Sequence, residues 1–210
     1  MSDVDKSRRK AMVLMASSLA AAAVPLSTAA AKLAPTPAQA EGPFYPVVDF
    51  SGIGNDLITA ADGSKANGRP LALSGAILAT GGQPVAGAVV EIWQADNNGN
   101  YRHPRDREDE VDPAFKGFGA TRADADGRYD FLTIVPVPYT GRPPHIHVKI
   151  KAGGETLLTT QLYLQGDARN DRDILLRGLS ETAAESLMIE PRAADENNVY
   201  RASADIVVVV

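Results

Sequence analysis

A chain of 210 residues, 44% of them hydrophobic, with 18 glycines and 14 prolines, is long enough to bury a full core and too apolar and turn-rich for a disordered protein. Its formal net charge of −5, with no basic cluster beyond the N-terminus, argues against nucleic acid as a partner. The absence of cysteine excludes thiolate metal sites, iron-sulfur clusters and disulfides, so any metal must be held by His, Tyr, Asp or Glu, harder ligands suited to iron, zinc or manganese.

In chain order, residues 1–31 read as an export signal. Lys6-Ser7-Arg8-Arg9-Lys10 gives a charged start, and Ala11 to Ala31 is a long, Ala-rich, weakly apolar stretch without charge. The paired arginines resemble a twin-arginine signal, although Ala11 stands where such signals favour a bulky apolar residue. Pro25 and Ser27 interrupt the run, which speaks against a membrane-spanning helix and for no stable membrane insertion after processing.

From Pro35 onwards short β-type runs alternate with turn residues. Strands are predicted over Leu71 to Ala79, Ala88 to Gln94, Gly117 to Arg122, Arg128 to Ile134, His145 to Lys151, Thr156 to Leu164 and Ala204 to Val210. Turn chemistry such as Asn97-Asn98-Gly99 and Asp124-Ala125-Asp126-Gly127 bounds most of them. This spacing predicts an all-β fold, an antiparallel β-sandwich over residues 32–210 with long loops. Leu175, Leu176, Leu179 and Leu187, lacking β-branched company, predict one short helix within Asp173 to Glu190.

Two of the three histidines, His145 and His147, lie on one predicted strand that follows Pro143 and Pro144. Residues i and i+2 of a strand share a face, so the two imidazoles stand side by side. That is half of a metal site, or equally a pair of hydrogen-bonded surface histidines, depending on what arrives from elsewhere. Tyr139 sits in the proline-stiffened Val135 to Gly141 loop just before this strand, and Tyr101 in the loop leaving the strand of Trp93. Each phenol taken singly is a half-buried sandwich aromatic or a ligand; spacing does not bring Tyr101 to the histidines. Two phenolates and two imidazoles together would suit iron(III), since phenolate is a hard anionic donor.

At this point the chain resembles the intradiol ring-cleavage dioxygenases, in particular their protocatechuate 3,4-dioxygenase-like branch. The resemblance runs through Thr36 to Pro46, Val89 to Asp96, Gly99 to His103, Asp126 to Phe131, Arg142 to His147 and Thr160 to Leu164. It implies a non-haem Fe(III) held by Tyr101, Tyr139, His145 and His147, with Tyr139 the ligand that swings away when substrate arrives. It also implies Arg142 beside the reacting ring carbon and Gln161 in the same pocket. The activity implied is cleavage of a catechol-type substrate between its two hydroxyls with O2, giving a cis,cis-muconate-type diacid. His103, Tyr45, Tyr129 and Tyr163 receive no role at iron, and His103 reads as a surface or loop-supporting residue. Because Thr36 to Pro46 matches the family's opening, signal cleavage is expected after Ala31 and not after Ala40.

Two features depart from the family pattern. Only Thr140 to Pro144 separate Tyr139 from His145, where protocatechuate enzymes carry a longer insertion that contributes groups for the substrate carboxylate. Plain catechol, substituted catechols, hydroxyquinol and larger plant-derived diphenols therefore all stay open. Export also departs from the cytosolic enzymes of aromatic catabolism, and assembly into a homo-oligomer is left open. The competing readings are a secreted β-sandwich binding module with a structural or absent metal, and a zinc hydrolase built on His145, His147 and a carboxylate.

Overall fold

The computed structural model describes residues 32–50, 52–139, 141–193 and 198–210; the export signal expected over residues 1–31 lies outside them. Among these residues nine strands and one short α-helix follow in the order β1 (Pro70–Ala79), β2 (Val89–Trp93), β3 (Phe118–Arg122), β4 (Arg128–Ile134), β5 (His145–Ala152), β6 (Glu155–Leu164), α1 (Glu181–Glu185), β7 (Met188–Ile189), β8 (Tyr200–Ser203) and β9 (Ile206–Val208). None of the described helices is long and apolar enough to cross a membrane.

Alternation builds the sandwich. On β1, Leu71, Leu73, Ile77 and Ala79 are buried, and on β4 Tyr129 and Phe131 are buried between exposed or half-buried neighbours, with Thr133 and Ile134 both buried at its end. One sheet runs β4-β1-β8, with β9 also paired to β1; the other runs β3-β2-β5-β6-β7. Their inner faces meet in one core that includes Leu71, Leu73, Ile77 and Phe131 from the first sheet and Val90, Ile92, Ile146, Val148 and Ile150 from the second.

The all-β sandwich expected from the sequence is the fold observed, but its ladders are mixed. The pairs β1/β4, β2/β3, β2/β5 and β5/β6 are antiparallel, while β8 and β9 run parallel to β1, and β7 runs parallel to β6. These late strands reach their partners by long crossovers, for which parallel pairing is natural, and not by hairpins.

Strand β5 differs from the others because His145 through Ile150 are buried on both faces. Ile146, Val148 and Ile150 enter the core, and the face carrying His145, His147 and Lys149 is covered by the N-terminal segment. That segment is fastened along β6, where Gln39 N–H donates to the Thr159 carbonyl at 2.9 Å, the Thr160 hydroxyl to Pro37 O at 2.7 Å and Gln161 Nε2 to Ala40 O at 2.9 Å. Lys149 pairs with Glu41 and lies over the Tyr45 ring, 3.6 Å from its centroid. The covered end of β5 is where the candidate site forms.

Candidate active site

His145 and His147 share a face of β5, as period two requires, and their Nε2 atoms approach to 3.1 Å. His145 Nδ1 lies 2.7 Å from the Pro143 carbonyl. A carbonyl only accepts, so Nδ1 carries the hydrogen and Nε2 is left with a bare lone pair. His147 stacks face to face on Trp93, with centroids 4.7 Å apart and planes 8° from parallel, and its Nδ1 is buried without a hydrogen-bond partner. Burial and the nearby Arg142 charge lower the His145 pKa to about 4. Burial, His145 and Arg142 hold His147 well below its ordinary value. Both rings are therefore neutral donors at neutral pH.

Tyr101 reaches the histidines from the loop after β2. Asp96, fully buried, organises that loop: its Oδ1 accepts from the N–H groups of Asn98 at 2.9 Å and Asn100 at 3.0 Å, and its Oδ2 from Asp112 N–H at 2.8 Å. Tyr101 N–H donates to Asp106 Oδ2 at 2.7 Å. Gly99, at φ +84°, lets this loop meet the tyrosine loop, since a Cβ there would stand 3.1 Å from the Pro138 carbonyl oxygen. The Tyr139 loop closes on itself through Arg142 N–H donating to Tyr139 O at 3.0 Å.

The four aromatic rings converge. Centroid separations are 5.2 Å for Tyr101 and Tyr139, 6.0 Å for Tyr101 and His147, 5.4 Å for Tyr139 and His145, and 4.7 Å for the two histidines. Phe44 of the N-terminal segment stacks on Tyr101 at 4.7 Å and roofs the cluster. The Tyr101 hydroxyl is buried and has no hydrogen-bond partner among the described residues. Burial above all, then the neighbouring Tyr139 phenol, pushes its pKa well above the usual value; burial also raises that of Tyr139, against the pull of the Arg142 guanidinium. A buried, unpartnered hydroxyl costs about 1–3 kcal/mol, and here two such atoms, Tyr101 Oη and His147 Nδ1, adjoin a facing pair of imidazole nitrogens. That donor set fits a hard cation, whose charge would favour deprotonated phenols.

Among the described residues no cluster of three or more His, Cys, Asp or Glu forms, so the carboxylate needed by a zinc-hydrolase reading does not join the two histidines. Arg142, three residues before His145, is held on three sides. Its Nε donates to Asp173 Oδ2 at 2.6 Å, and its Nη2 donates to Gln161 Oε1 at 2.8 Å and to Tyr163 Oη at 3.1 Å. Gln161, expected in this pocket, is buried beside the guanidinium. A cavity of about 570 Å³ opens against Tyr139 and Arg142, lined also by Pro138, Pro143, Arg169 and Arg172.

Three participants were not singled out by sequence reasoning: Asp173, Tyr163 and Phe44. Tyr163 follows Gln161 by two on β6 and so shares its face, a signal that was present; Asp173 had none beyond its charge. His103 is buried and not on the surface, and its Nδ1 accepts from Arg105 N–H at 3.0 Å, a loop-supporting contact.

The sandwich and its phenol-imidazole cluster are of the dioxygenase class. Residues 40–208 match the family described as Dioxygenase, and the chain belongs to the intradiol ring-cleavage dioxygenase family. It is 35% identical over 156 residues to the protocatechuate 3,4-dioxygenase beta chain of Burkholderia cepacia, covering 70% of this chain and 66% of that one. It is 33% identical over 150 residues to catechol 1,2-dioxygenase 2 of Acinetobacter lwoffii, covering 63% and 52%. The chain thus spans about half to two thirds of the length of these relatives. Among solved structures it is similar to the dioxygenase domain of a dioxygenase carbohydrate-binding protein fusion from Streptomyces sp. SirexAA-E, with 33% identity, a TM-score of 0.66, and coverage of 84% of this chain and 99% of that chain.

Proposed function

We propose that the protein is an exported intradiol dioxygenase that binds Fe(III) through Tyr101, Tyr139, His145 and His147 and opens the ring of a catechol-type substrate with O2 between its two hydroxyls, giving a cis,cis-muconate-type diacid. The observation that carries this reading is the buried Tyr101 hydroxyl, left without a hydrogen-bond partner among the described residues beside two facing imidazole nitrogens. When bound, Fe(III) supplies the charge that draws a diphenol in as its dianion and the redox centre for reaction with O2.

The chain's own groups divide the remaining work. His145 and His147 stay neutral, so their nitrogens are available as donors over the whole physiological pH range. Tyr139 lines the cavity, and as the phenolate that a bound cation would favour, its Oη would be the base that takes the proton of an incoming hydroxyl. Arg142 holds a fixed positive charge on the cavity wall, where it stabilises negative charge developing on the ring. Gln161 accepts from Arg142 and keeps that charge turned toward the ring. Phe44 and the Trp93 stack behind His147 exclude water from the donor atoms.

The test is to load the purified protein with iron, record its visible absorption and follow O2 uptake and diacid formation with a panel of catechols. A coloured protein that consumes O2 supports the reading; an iron-loaded protein inert to every catechol replaces it with the binding-module reading. Export rests on the composition of residues 1–31, and cell fractionation decides it.

Arg169 and Arg172 on the cavity wall favour diphenols that carry an acidic substituent. Both side chains are exposed, so the effect is modest: Arg172→Ala is expected to raise KM for an acid-bearing catechol by about two- to fivefold and leave that for catechol itself unchanged. Paired steady-state assays measure the difference.

A further inference from the structure

We infer that Asp173 is the positioning residue of this site, the group that sets the angle at which Arg142 presents its charge; the inference rests on the proposed role of Arg142 beside the substrate ring. Asp173 is 3% exposed, and both its carboxylate oxygens are committed. Oδ2 accepts from Arg142 Nε at 2.6 Å, while Oδ1 accepts from the N–H groups of Leu175 at 3.0 Å and Leu176 at 3.1 Å. The carboxylate is thus fixed to its own backbone turn before it touches the arginine. That turn is anchored in turn, because Leu176 packs with Tyr163 and Leu187 in a small buried cluster.

The guanidinium is fixed from two directions at once. Asp173 takes Nε, and Gln161 and Tyr163 take Nη2. Tyr163 Oη lies 3.0 Å from Gln161 Oε1 and 2.8 Å from Gln39 Oε1, so this side of the network reaches the N-terminal segment. Bonds at Nε and Nη2 together define the plane of a guanidinium, and the Tyr139 phenol interacts with the same group. Without the Nε bond the group is free to turn about its last side-chain torsions, and a charge that wanders by about an ångström loses much of its effect on a reacting carbon. Asp173 borders the same cavity, but with both oxygens taken by protein groups it has none left for a substrate. It acts through Arg142.

The experiment uses the iron-loaded full chain and compares Asp173→Asn, Arg142→Lys and the double variant by kcat, KM, iron content, visible absorption and Tm. Asp173→Asn keeps the oxygen that caps the turn and removes the anionic partner of Nε. The expected result is a kcat about 10- to 100-fold lower with KM within about threefold, iron content and absorption unchanged, and little further loss when Arg142→Lys is added. Asp173→Glu, which keeps the charge but shifts the carboxylate by one methylene, is expected to lose rate as well. An active wild type with equal kcat in Asp173→Asn overturns the inference alone. So does a rate loss in both Asp173 variants that merely tracks lost iron or lowered Tm, which would make Asp173 a support of the fold. A wild type inert to all catechols overturns the functional reading itself, and Asp173 with it.

Discussion

Tyr101→Phe is expected to give a stably folded protein that no longer retains iron. The hydroxyl it removes has no hydrogen-bond partner among the described residues and is buried. Deleting a buried polar group that nothing satisfies relieves a desolvation cost and breaks no bond. The phenyl ring keeps its stacking against Phe44 at 4.7 Å. The Tm of the metal-free variant should therefore equal or exceed that of metal-free wild type. Iron affinity should fall by more than the roughly 10- to 100-fold seen when only the outer partners of metal ligands are removed. His147→Ala should lose iron too, with a lower Tm, because the indole of Trp93 then faces a cavity. Iron per chain, visible absorption and thermal melts read all of this, and full iron occupancy in both variants would refute the assignment of ligands.

Gly75→Ala is expected to cause the largest loss of stability of any single methyl added to the molecule. A Cβ at this position would stand 1.9 Å from the Ala204 carbonyl oxygen and 2.6 Å from its carbon. Those are backbone atoms, held by Ala204 N–H donating to Ser74 O at 2.9 Å and by the Tyr129 hydroxyl donating to Ala204 O at 2.7 Å. Nothing flexible is available to give way. The link between β8 and β9 must move off β1, which endangers both parallel pairings. The cost is on the order of 3 kcal/mol or more, a Tm lower by roughly 6–12 °C. Gly178→Ala serves as the control, since its Cβ meets only ordinary contacts at 3.6 Å and beyond. If both variants melt with wild type, the close passage of the C-terminal strands over β1 is disproved.

What the sequence made legible follows from which forces are local. Strands β1 to β6 lie within one residue of the stretches read from alternation and turn chemistry, because inward and outward positions are chosen residue by residue along each strand. The C-terminal strand read over Ala204 to Val210 shortens to Ile206–Val208, and just before it the Asp205 side chain accepts from Ala76 N–H at 2.9 Å in place of a ladder bond. Tyr200–Ser203 was missed, being short and half polar. The helix sought within Asp173 to Glu190 shrinks to Glu181–Glu185. Asp173 draws the N–H groups of Leu175 and Leu176 into a turn, and the helix starts only where the Ser180 hydroxyl accepts from Ala183 N–H at 3.3 Å.

The candidate site divides in the same way. The shared face of His145 and His147 is a local property of an extended chain, and Tyr139 is tied to them by a short loop. The arrival of Tyr101 is not local, since it depends on Asp96 and Asp106 folding one loop and on Gly99 letting another pass. Only resemblance to known relatives pointed to it. Asp173 escaped both routes, because its importance lies in where its second oxygen reaches, 31 residues back along the chain.

The stacking of Trp93 on His147 gives the protein a built-in optical probe. It is the only tryptophan in the chain, so all indole emission originates one ring away from the donor cluster. An ion that absorbs visible light would drain that emission by energy transfer, and a chelator would restore it. Loading, stripping and exchange can thus be followed in real time on unlabelled protein, at concentrations far below those needed to see colour.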